Sequence, residues 1–158
     1  MMSFDGWYRG YHPVLVAALT VVAGDGSVAS DAADEALVRA YERWSRVETM
    51  SSPEAWTYTV GVNLLRRRAR RAAIEERFMH RRQRQLGSLE LRPEVWDAVR
   101  RLPARQREAI ALRYLLDLPE KQVADVMGVA VGTASATLAT ARRALAAALQ
   151  DDDSVEVM

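Results

Sequence analysis

The sequence predicts an all-α protein made of two small helical domains joined by a linker. Apolar residues recur at helical spacing along most of the 158-residue chain, and no stretch of useful length alternates as a strand would. A polar, weakly periodic stretch at 81–93, which contains Gly87 and Pro93, separates the helices into two groups. We therefore expect domains at 1–76 and 93–150, a linker at 77–92, and a disordered acidic tail at 151–158.

Three helices are expected in the first domain. One runs from Phe4 to about Val22 and ends at the Gly-Asp-Gly-Ser turn of 24–27. The next covers 30–44, where Ser30 or Asp31 serves as the N-cap and acids follow in the first turns. Its predicted apolar stripe comprises Leu37, Tyr41 and Trp44.

The third helix follows a polar loop at 45–52. Pro53 suits the first helical turn, and Ser52 suits the N-cap before it. The four-residue spacing of Trp56, Val60 and Leu64 predicts a buried side, with Trp56 in the core. Arginines crowd the C-terminal end of this helix, where positive charge complements the helix dipole.

The second domain is expected to hold four helices. The first starts near Pro93, and the second covers 103–118. A short helix from Pro119 to Gly128, a glycine-containing turn and a longer helix then form a helix-turn-helix, although an ordinary hairpin in a bundle has the same pattern. The longer helix has a predicted buried stripe of Ala134, Leu138, Ala141 and Leu145, and outward residues Thr133, Ala136, Thr137 and Thr140.

Positive charge is concentrated in one short block. The chain has 22 basic residues, of which one is a lysine, against 21 acids, for a net charge of +1. Nine arginines and only two acids lie in 61–84, whereas 1–60 and the tail 151–158 are both net acidic. This asymmetry favours contact with a polyanion at the block and with a different partner elsewhere.

The composition points away from catalysis, metals and membranes. Cysteine is absent, and His12 and His80 lack partners at ligand spacing. We find no phosphate loop, nucleophile motif or carboxylate constellation, so we expect neither an enzyme nor a cofactor. Because no apolar run reaches about 18 residues and no signal peptide is recognisable, we expect a cytoplasmic protein without membrane insertion.

Two parts of the chain, in the expected order, resemble sigma factors of the extracytoplasmic-function (ECF) group over about residues 5–149. Region 4 of that family is similar to LPARQREAIALRYLLDLPEKQVADVMGVAVGT, residues 102–133. Region 2 is similar to DAADEALVRAYERW (31–44) followed by SPEAWTYTVGVNLLRRRARR (52–71). The resemblance implies a non-enzymatic subunit that directs core RNA polymerase to promoters.

Region 2 in this family binds the coiled coil of the polymerase β′ clamp and melts the −10 promoter element. The resemblance makes Asp34, Glu35, Val38 and Tyr41 candidate clamp contacts, although the apolar ones would also suit the core. It assigns loop 45–52 to the capture of an unstacked promoter base, with Asn63 as a candidate donor. Trp56 and Tyr58 are candidate stacking rings, although Trp56 suits the core better. Five arginines between 66 and 71 cannot all be buried, and the candidate phosphate contacts are Arg66, Arg67, Arg70 and Arg71.

Region 4 in this family contacts the polymerase β flap and reads the −35 element. The candidate DNA-binding residues in this half are Lys121, Thr133, Ser135, Ala136, Thr137, Thr140, Arg142 and Arg143. The family usually has Lys and Arg in the segment aligned to 135–140, and this chain has none there. Base contacts from hydroxyls and methyls remain available, but phosphate positioning by this helix is expected to be poor.

Two other functions also fit the residues. A sigma-like interaction protein would keep the clamp-binding helix but read DNA weakly, as a decoy or as the partner of an anti-sigma factor. The charge-poor segment 135–140 favours that alternative. A helix-turn-helix repressor that acts without polymerase would leave the first domain unexplained.

Overall fold

The structure, a computed structural model, describes residues 1–75 and 92–156, with side chains described as far as Asp151. None of these residues is in a strand, and they fall into two compact units, one within Met1–Ser88 and one within Leu89–Met158. The predicted all-α architecture of two helical domains is confirmed. The predicted linker at 77–92 lies outside the described residues, apart from Arg92.

The first unit is a bundle of three long helices with one short helix. Its elements are α1 (Phe4–Ala23), α2 (Gly26–Glu42), α3 (Trp44–Val47) and α4 (Pro53–Glu75). Helices α1, α2 and α4 each pack against the other two. Ser52 caps α4 as predicted, because its hydroxyl accepts a 3.1 Å hydrogen bond from the N–H of Ala55.

Small residues allow these three helices to approach closely. Helix α2 buries a row of alanines completely, namely Ala29, Ala32, Ala33, Ala36 and Ala40. Gly61 of α4 is also needed for close packing, since a Cβ there would lie 2.8 Å from Cδ1 of Leu19 on α1. Larger side chains that fill the core include Leu15 and Tyr58, both fully buried.

The predicted start of α2 is wrong. The helix begins at Gly26, and its N-cap is Asp25 instead of Ser30 or Asp31. The Asp25 carboxylate accepts hydrogen bonds of 2.9 and 3.1 Å from two N–H groups of the first turn. This cap stabilises the additional turn at the start of α2.

The predicted stripe of Leu37, Tyr41 and Trp44 is also wrong beyond its first member. Leu37 is buried, but Tyr41 is 64% exposed. Helix α2 ends at Glu42, so the helical spacing does not continue to Trp44. Trp44 instead starts α3, which continues to Val47 within the predicted loop. The Trp44 ring instead packs against α1, with its centroid 4.9 Å from that of Trp7.

The second unit is organised around its last helix. Its elements are α5 (Pro93–Arg100), α6 (Ala104–Ile110), a π turn (Ala111–Leu115), α7 (Glu120–Met127) and α8 (Val131–Glu156). Helix α8 packs against α5, α6 and α7. Its predicted stripe is confirmed at Ala134, Leu138 and Ala141, which have no exposed surface, while Leu145 is half-buried.

The second unit differs from prediction at two places. The end of the helix predicted at 103–118 is a π turn, in which each backbone hydrogen bond spans one more residue than in an α-helix. The apolar spacing did not indicate this change. The expected disorder of the tail is wrong for 151–156, where α8 continues to Glu156. The alanine-rich stretch before the tail already forms the helix, and adding a residue to an existing helix costs less free energy than starting a new one.

Among the described residues, no single helix is both long and apolar enough to cross a bilayer. Glu120–Met127 and Val131–Asp151 meet the length and composition requirements only when taken together, and they are bent by 102° at their junction. Several of their apolar residues, including Val123 and Leu138, are core residues of the second unit.

Candidate polymerase and nucleic-acid interfaces

The outward face of α4 carries the DNA-binding residues predicted for the first domain. Asn63, Arg66, Arg67, Arg70 and Arg71 are all exposed, whereas residues 57, 58, 61, 62, 64 and 65 are buried. Asn63, Arg67 and Arg70 follow one another at spacings of four and three, so they lie along one side over about 10 Å of helix. None of the four exposed arginines forms an ion pair with a described residue.

Arg68 is the exception within the arginine block, because it turns toward α2. Its guanidinium lies 3.8 Å from the carboxylates of Asp31 and Glu35 and 3.4 Å from the carbonyl oxygen of Val28. The Arg68 side chain is half-buried between the two helices. Arg68 therefore joins α4 to α2, whereas Arg66, Arg67, Arg70 and Arg71 face solvent.

The burial of the two aromatic residues of α4 is the reverse of the prediction. Trp56, predicted in the core, is only half-buried and lies two turns before Asn63 on the same side of the helix. Tyr58, which the sequence left available for stacking, has no exposed surface. Trp56 is therefore the ring positioned near Asn63, because the buried side of α4 runs through Tyr58 and Gly61.

The first turn of α4 is fastened to α1 by two hydrogen bonds. Trp7 Nε1 donates to Oε1 of Glu54 at 2.7 Å, and the Tyr11 hydroxyl donates to the Glu54 carbonyl oxygen at 2.6 Å. Burial, and to a smaller extent Glu54 and Tyr58, raise the pKa of Tyr11 well above its ordinary value. These bonds fix the helix start next to the loop predicted to receive a promoter base, and nothing in the sequence pattern pointed to them.

The outward face of α2 brings together three of the four candidate clamp contacts. Asp34, Val38 and Tyr41 follow at spacings of four and three, and Val38 is 56% exposed. The Asp34 carboxylate lies 3.1 Å from Nε2 of His12 on α1. Glu35 is not on this face, because it lies 2.8 Å from Arg39 and 3.8 Å from Arg68 on the side toward α4.

Aromatic residues of α1 extend the α2 face. The ring of Phe4 lies 5.0 Å from that of Tyr41 and 5.8 Å from that of Tyr8. Tyr8 is exposed and continues the row to His12, with ring centroids 5.3 Å apart. We call the residues Tyr8, His12, Asp34, Val38 and Tyr41 the α1–α2 face. The sequence pattern did not reveal its α1 members, because it did not show how α1 and α2 pair.

The second unit contains the predicted helix-turn-helix. Gly128 ends α7 in the left-handed conformation, with φ of 67°, and α8 begins three residues later at Val131. Thr133, Ala136 and Thr140 are exposed and Thr137 is half-buried, so the predicted outward side of α8 faces solvent. Lys121 on α7 is exposed and forms no ion pair with a described residue.

Several polar candidates on α8 already have partners inside the unit. The hydroxyl of Ser135 donates to Glu120, and Nε of Arg142 donates to the hydroxyl of Tyr114. The two threonine hydroxyls are bonded within α8, that of Thr137 to the Thr133 carbonyl oxygen and that of Thr140 to Arg143. No group of three or more histidines and acids among the described side chains could hold a metal ion.

Comparisons with known proteins agree with this division into two units. Residues 7–74 match the family model for sigma-70 region 2, and residues 92–145 match one for sigma-70 region 4. The chain is similar to the sigma factor RpoE from Bartonella quintana, solved with the anti-sigma factor NepR, at 26% identity and a TM-score of 0.72 over 93% of this chain and 96% of that one. A search of curated proteins found no match.

A second solved structure, an RsbN–BldN complex, matches at 26% identity over 91% of this chain and 89% of that one, but its TM-score of 0.37 is too low to support an inference. The region 2 match covers the first unit from α1 to α4, and the region 4 match covers α5 and continues into α8. The region 4 model is of the type typical of ECF sigma factors. The chain therefore belongs to the ECF group of the sigma-70 family and is a sigma factor that directs core RNA polymerase to promoters.

Proposed function

We propose that the first unit opens the −10 element through the outward face of α4, while the second unit contributes only weak contact with the −35 element. The observation that carries this proposal is the row of four exposed arginines without ion pairs among the described residues, Arg66, Arg67, Arg70 and Arg71, on the helix that also presents Asn63 and Trp56. In α8, by contrast, the segment 135–140 contains no basic residue.

The chemistry of promoter opening fits this arrangement. Unstacking a base costs a few kcal/mol. A ring such as Trp56 offsets about 1–3 kcal/mol by stacking on the released base. The Asn63 amide is exposed on the same side of the helix and can bond the edge of that base. The arginines, one to two turns farther along α4, suit the backbone phosphates of the same strand. Because Trp7 and Tyr11 hold the start of α4, these groups are arranged before DNA arrives.

The α1–α2 face is proposed as the surface for core polymerase. It combines exposed aromatic and aliphatic side chains, Tyr8, Val38 and Tyr41, with the carboxylate of Asp34. An apolar centre with a charged edge is typical of protein–protein interfaces, and the acid suits a basic partner. We assign it to the β′ clamp coiled coil, with the β flap as the partner of the second unit.

We further propose that the chain acts by binding alone and works in the cytoplasm, where polymerase meets promoter DNA. We also propose regulation by an anti-sigma factor. This is supported by the similar sigma factor RpoE, which was solved in complex with the anti-sigma factor NepR.

A second candidate function is an interaction protein that binds polymerase or an anti-sigma factor and reads DNA weakly. Specific observations favour it: the segment 135–140 of α8 lacks charge, and the nearby Ser135 and Arg142 are already bonded within the unit. The two functions share the α1–α2 face and differ in whether α4 opens DNA.

Run-off transcription with purified core polymerase on a library of genomic promoter fragments separates the two functions. We expect discrete transcripts that depend on the chain, and we expect Asn63→Ala and Trp56→Ala to reduce them severalfold. Ser27→Ala, at an exposed position of α2 and outside α4, is the matched control. Binding to core polymerase without transcripts from any fragment would favour the interaction protein.

A further inference from the structure

The carboxylate of Glu120 links the two helices of the helix-turn-helix. Glu120 lies in the first turn of α7, and its Oε2 accepts a 2.5 Å hydrogen bond from the hydroxyl of Ser135 on α8. Its Oε1 lies 4.0 Å from a terminal nitrogen of Arg142, two turns farther along α8. A single acid therefore engages two of the polar residues that were candidates for DNA contact.

Arg142 is held from a second direction by Tyr114. Its Nε donates to the Tyr114 hydroxyl, and its guanidinium carbon lies 5.5 Å from the centre of that ring. Tyr114 is 53% exposed, and the side chains of Glu120 and Arg142 are both only partly buried. The cluster Tyr114–Glu120–Ser135–Arg142 therefore lies at the surface, within reach of an approaching duplex.

This cluster changes the charge that the second unit offers to DNA. Arg142 is paired with an acid, and the Ser135 hydroxyl proton is already donated. Among the described residues of α7 and α8, Lys121 and Arg143 are the cations without an ion pair. Since Arg and Ser side chains contact phosphates through the donor groups that Glu120 occupies, the cluster competes with the DNA backbone.

We propose that Glu120 limits the duplex affinity of the helix-turn-helix by occupying the place of a phosphate on Ser135 and Arg142. The inference rests on the proposed contact of α8 with the −35 element. Removal of the Glu120 charge should release Arg142 to a backbone phosphate. Glu120 is thus a positioning residue that weakens promoter anchoring through the side chains it holds.

Glu120→Gln is the sharpest test, because the amide oxygen can still accept the Ser135 hydrogen bond while the negative charge is lost. Binding of the full-length chain to a 30-base-pair mixed-sequence duplex is measured by fluorescence anisotropy across a range of salt concentrations. We expect a severalfold rise in affinity and a log–log salt slope steeper by about one unit, as for one added phosphate contact. Asp125→Asn, an equal charge change at an exposed position of α7, is the matched control and should produce neither effect.

A double-mutant cycle with Arg142→Gln tests whether Arg142 carries the gain. In the parent chain Arg142→Gln should change affinity less than twofold, and in the Glu120→Gln chain it should cancel both the gain and the steeper slope. A gain of equal size in both backgrounds would mean that Glu120 merely repels DNA, and would overturn the proposal. Equal unfolding midpoints for the parent chain and the variants would show that the substitutions leave the fold intact.

Failure of this inference is distinguishable from failure of the proposed −35 contact. Two arginines placed on the outward side of α8, Thr137→Arg and Thr140→Arg, test that contact independently of Glu120. If they raise duplex affinity and Glu120→Gln does not, α8 faces DNA and the role of Glu120 is wrong. If neither change has an effect, the contact itself is wrong, and the Glu120 proposal is overturned with it.

Discussion

Trp7 Nε1 donates a 2.7 Å hydrogen bond to the Glu54 side chain, across 47 positions of the chain. This bond joins the aromatic cluster at the start of α1 to the first turn of α4, and Tyr11 adds a second bond to the same residue. The helix proposed to open DNA is therefore fixed at its start by the helix that lines the proposed polymerase surface.

Replacing Trp7 by Phe should destabilise the first unit by about 1–3 kcal/mol, because it removes this hydrogen bond and leaves part of the indole volume empty. Chemical unfolding of the full chain followed by circular dichroism measures the loss. Trp96→Phe is the matched control, since Trp96 is also buried but its Nε1 has no hydrogen-bond partner among the described residues. Equal losses for the two variants would show that the Trp7–Glu54 bond contributes nothing.

Alkaline pH should selectively weaken the first unit. The pKa of Tyr11 is raised in the folded chain, so the folded state keeps a proton that the unfolded state loses above a pKa of about 10. The contribution of Tyr11 is fully present below that pH and is lost as the pH rises further. Unfolding measured between pH 8 and 11 should show this fall in the parent chain and a smaller fall in Tyr11→Phe. Tyr8→Phe, at an exposed position of α1, should leave the fall in place.

Core polymerase should bind the α1–α2 face. Asp34→Arg combined with Tyr41→Ala removes its acid and its most exposed ring, and we expect at least a tenfold loss in a pull-down of core enzyme. Reversal of Glu35 is a poorer test, because Glu35 is paired with Arg39 and Arg68 and its loss would disturb the bundle. Glu75→Arg, an exposed acid at the end of α4, should leave binding unchanged. Undiminished binding by the double variant would rule out this surface.

Adding charge to the outward side of α8 should strengthen duplex binding. Thr137→Arg with Thr140→Arg supplies cations within the segment 135–140, which has none, and Arg is the better helix former, so helicity should be retained. Ala146→Arg with Gln150→Arg adds the same charge at two exposed positions on another side of α8, and should raise affinity less. Loss of helicity in the first pair would instead indicate that this side is packed against protein.

The sequence predicted those parts of the sites that depend on a single helix. Periodicity identified the buried stripe of Ala134, Leu138 and Ala141, and composition identified the arginine block of α4. Both features repeat along one element, so the helical period alone decides which residues face outward.

The rest of the sites depends on how the helices pack against one another. Arg68 differs from its neighbours because it meets Glu35 on α2, and Ser135 is engaged because it meets Glu120 on α7. Trp56 and Tyr58 exchanged roles because the packing of α4, through Gly61, decides which side is buried. Such contacts join residues from 15 to 47 positions apart, beyond the reach of any local pattern.

The most direct test of the central claim is the salt dependence of promoter binding after neutralisation of α4. Glutamine at positions 66, 67, 70 and 71 removes up to four phosphate contacts, so the log–log salt slope should fall by about 3–4 units. The control replaces Arg9, Arg43 and Arg100 by glutamine; these arginines lie outside α4, and each is paired with an acid. It should change the slope by less than about one unit. An unchanged slope in the α4 variant would contradict the assignment of DNA binding to this face.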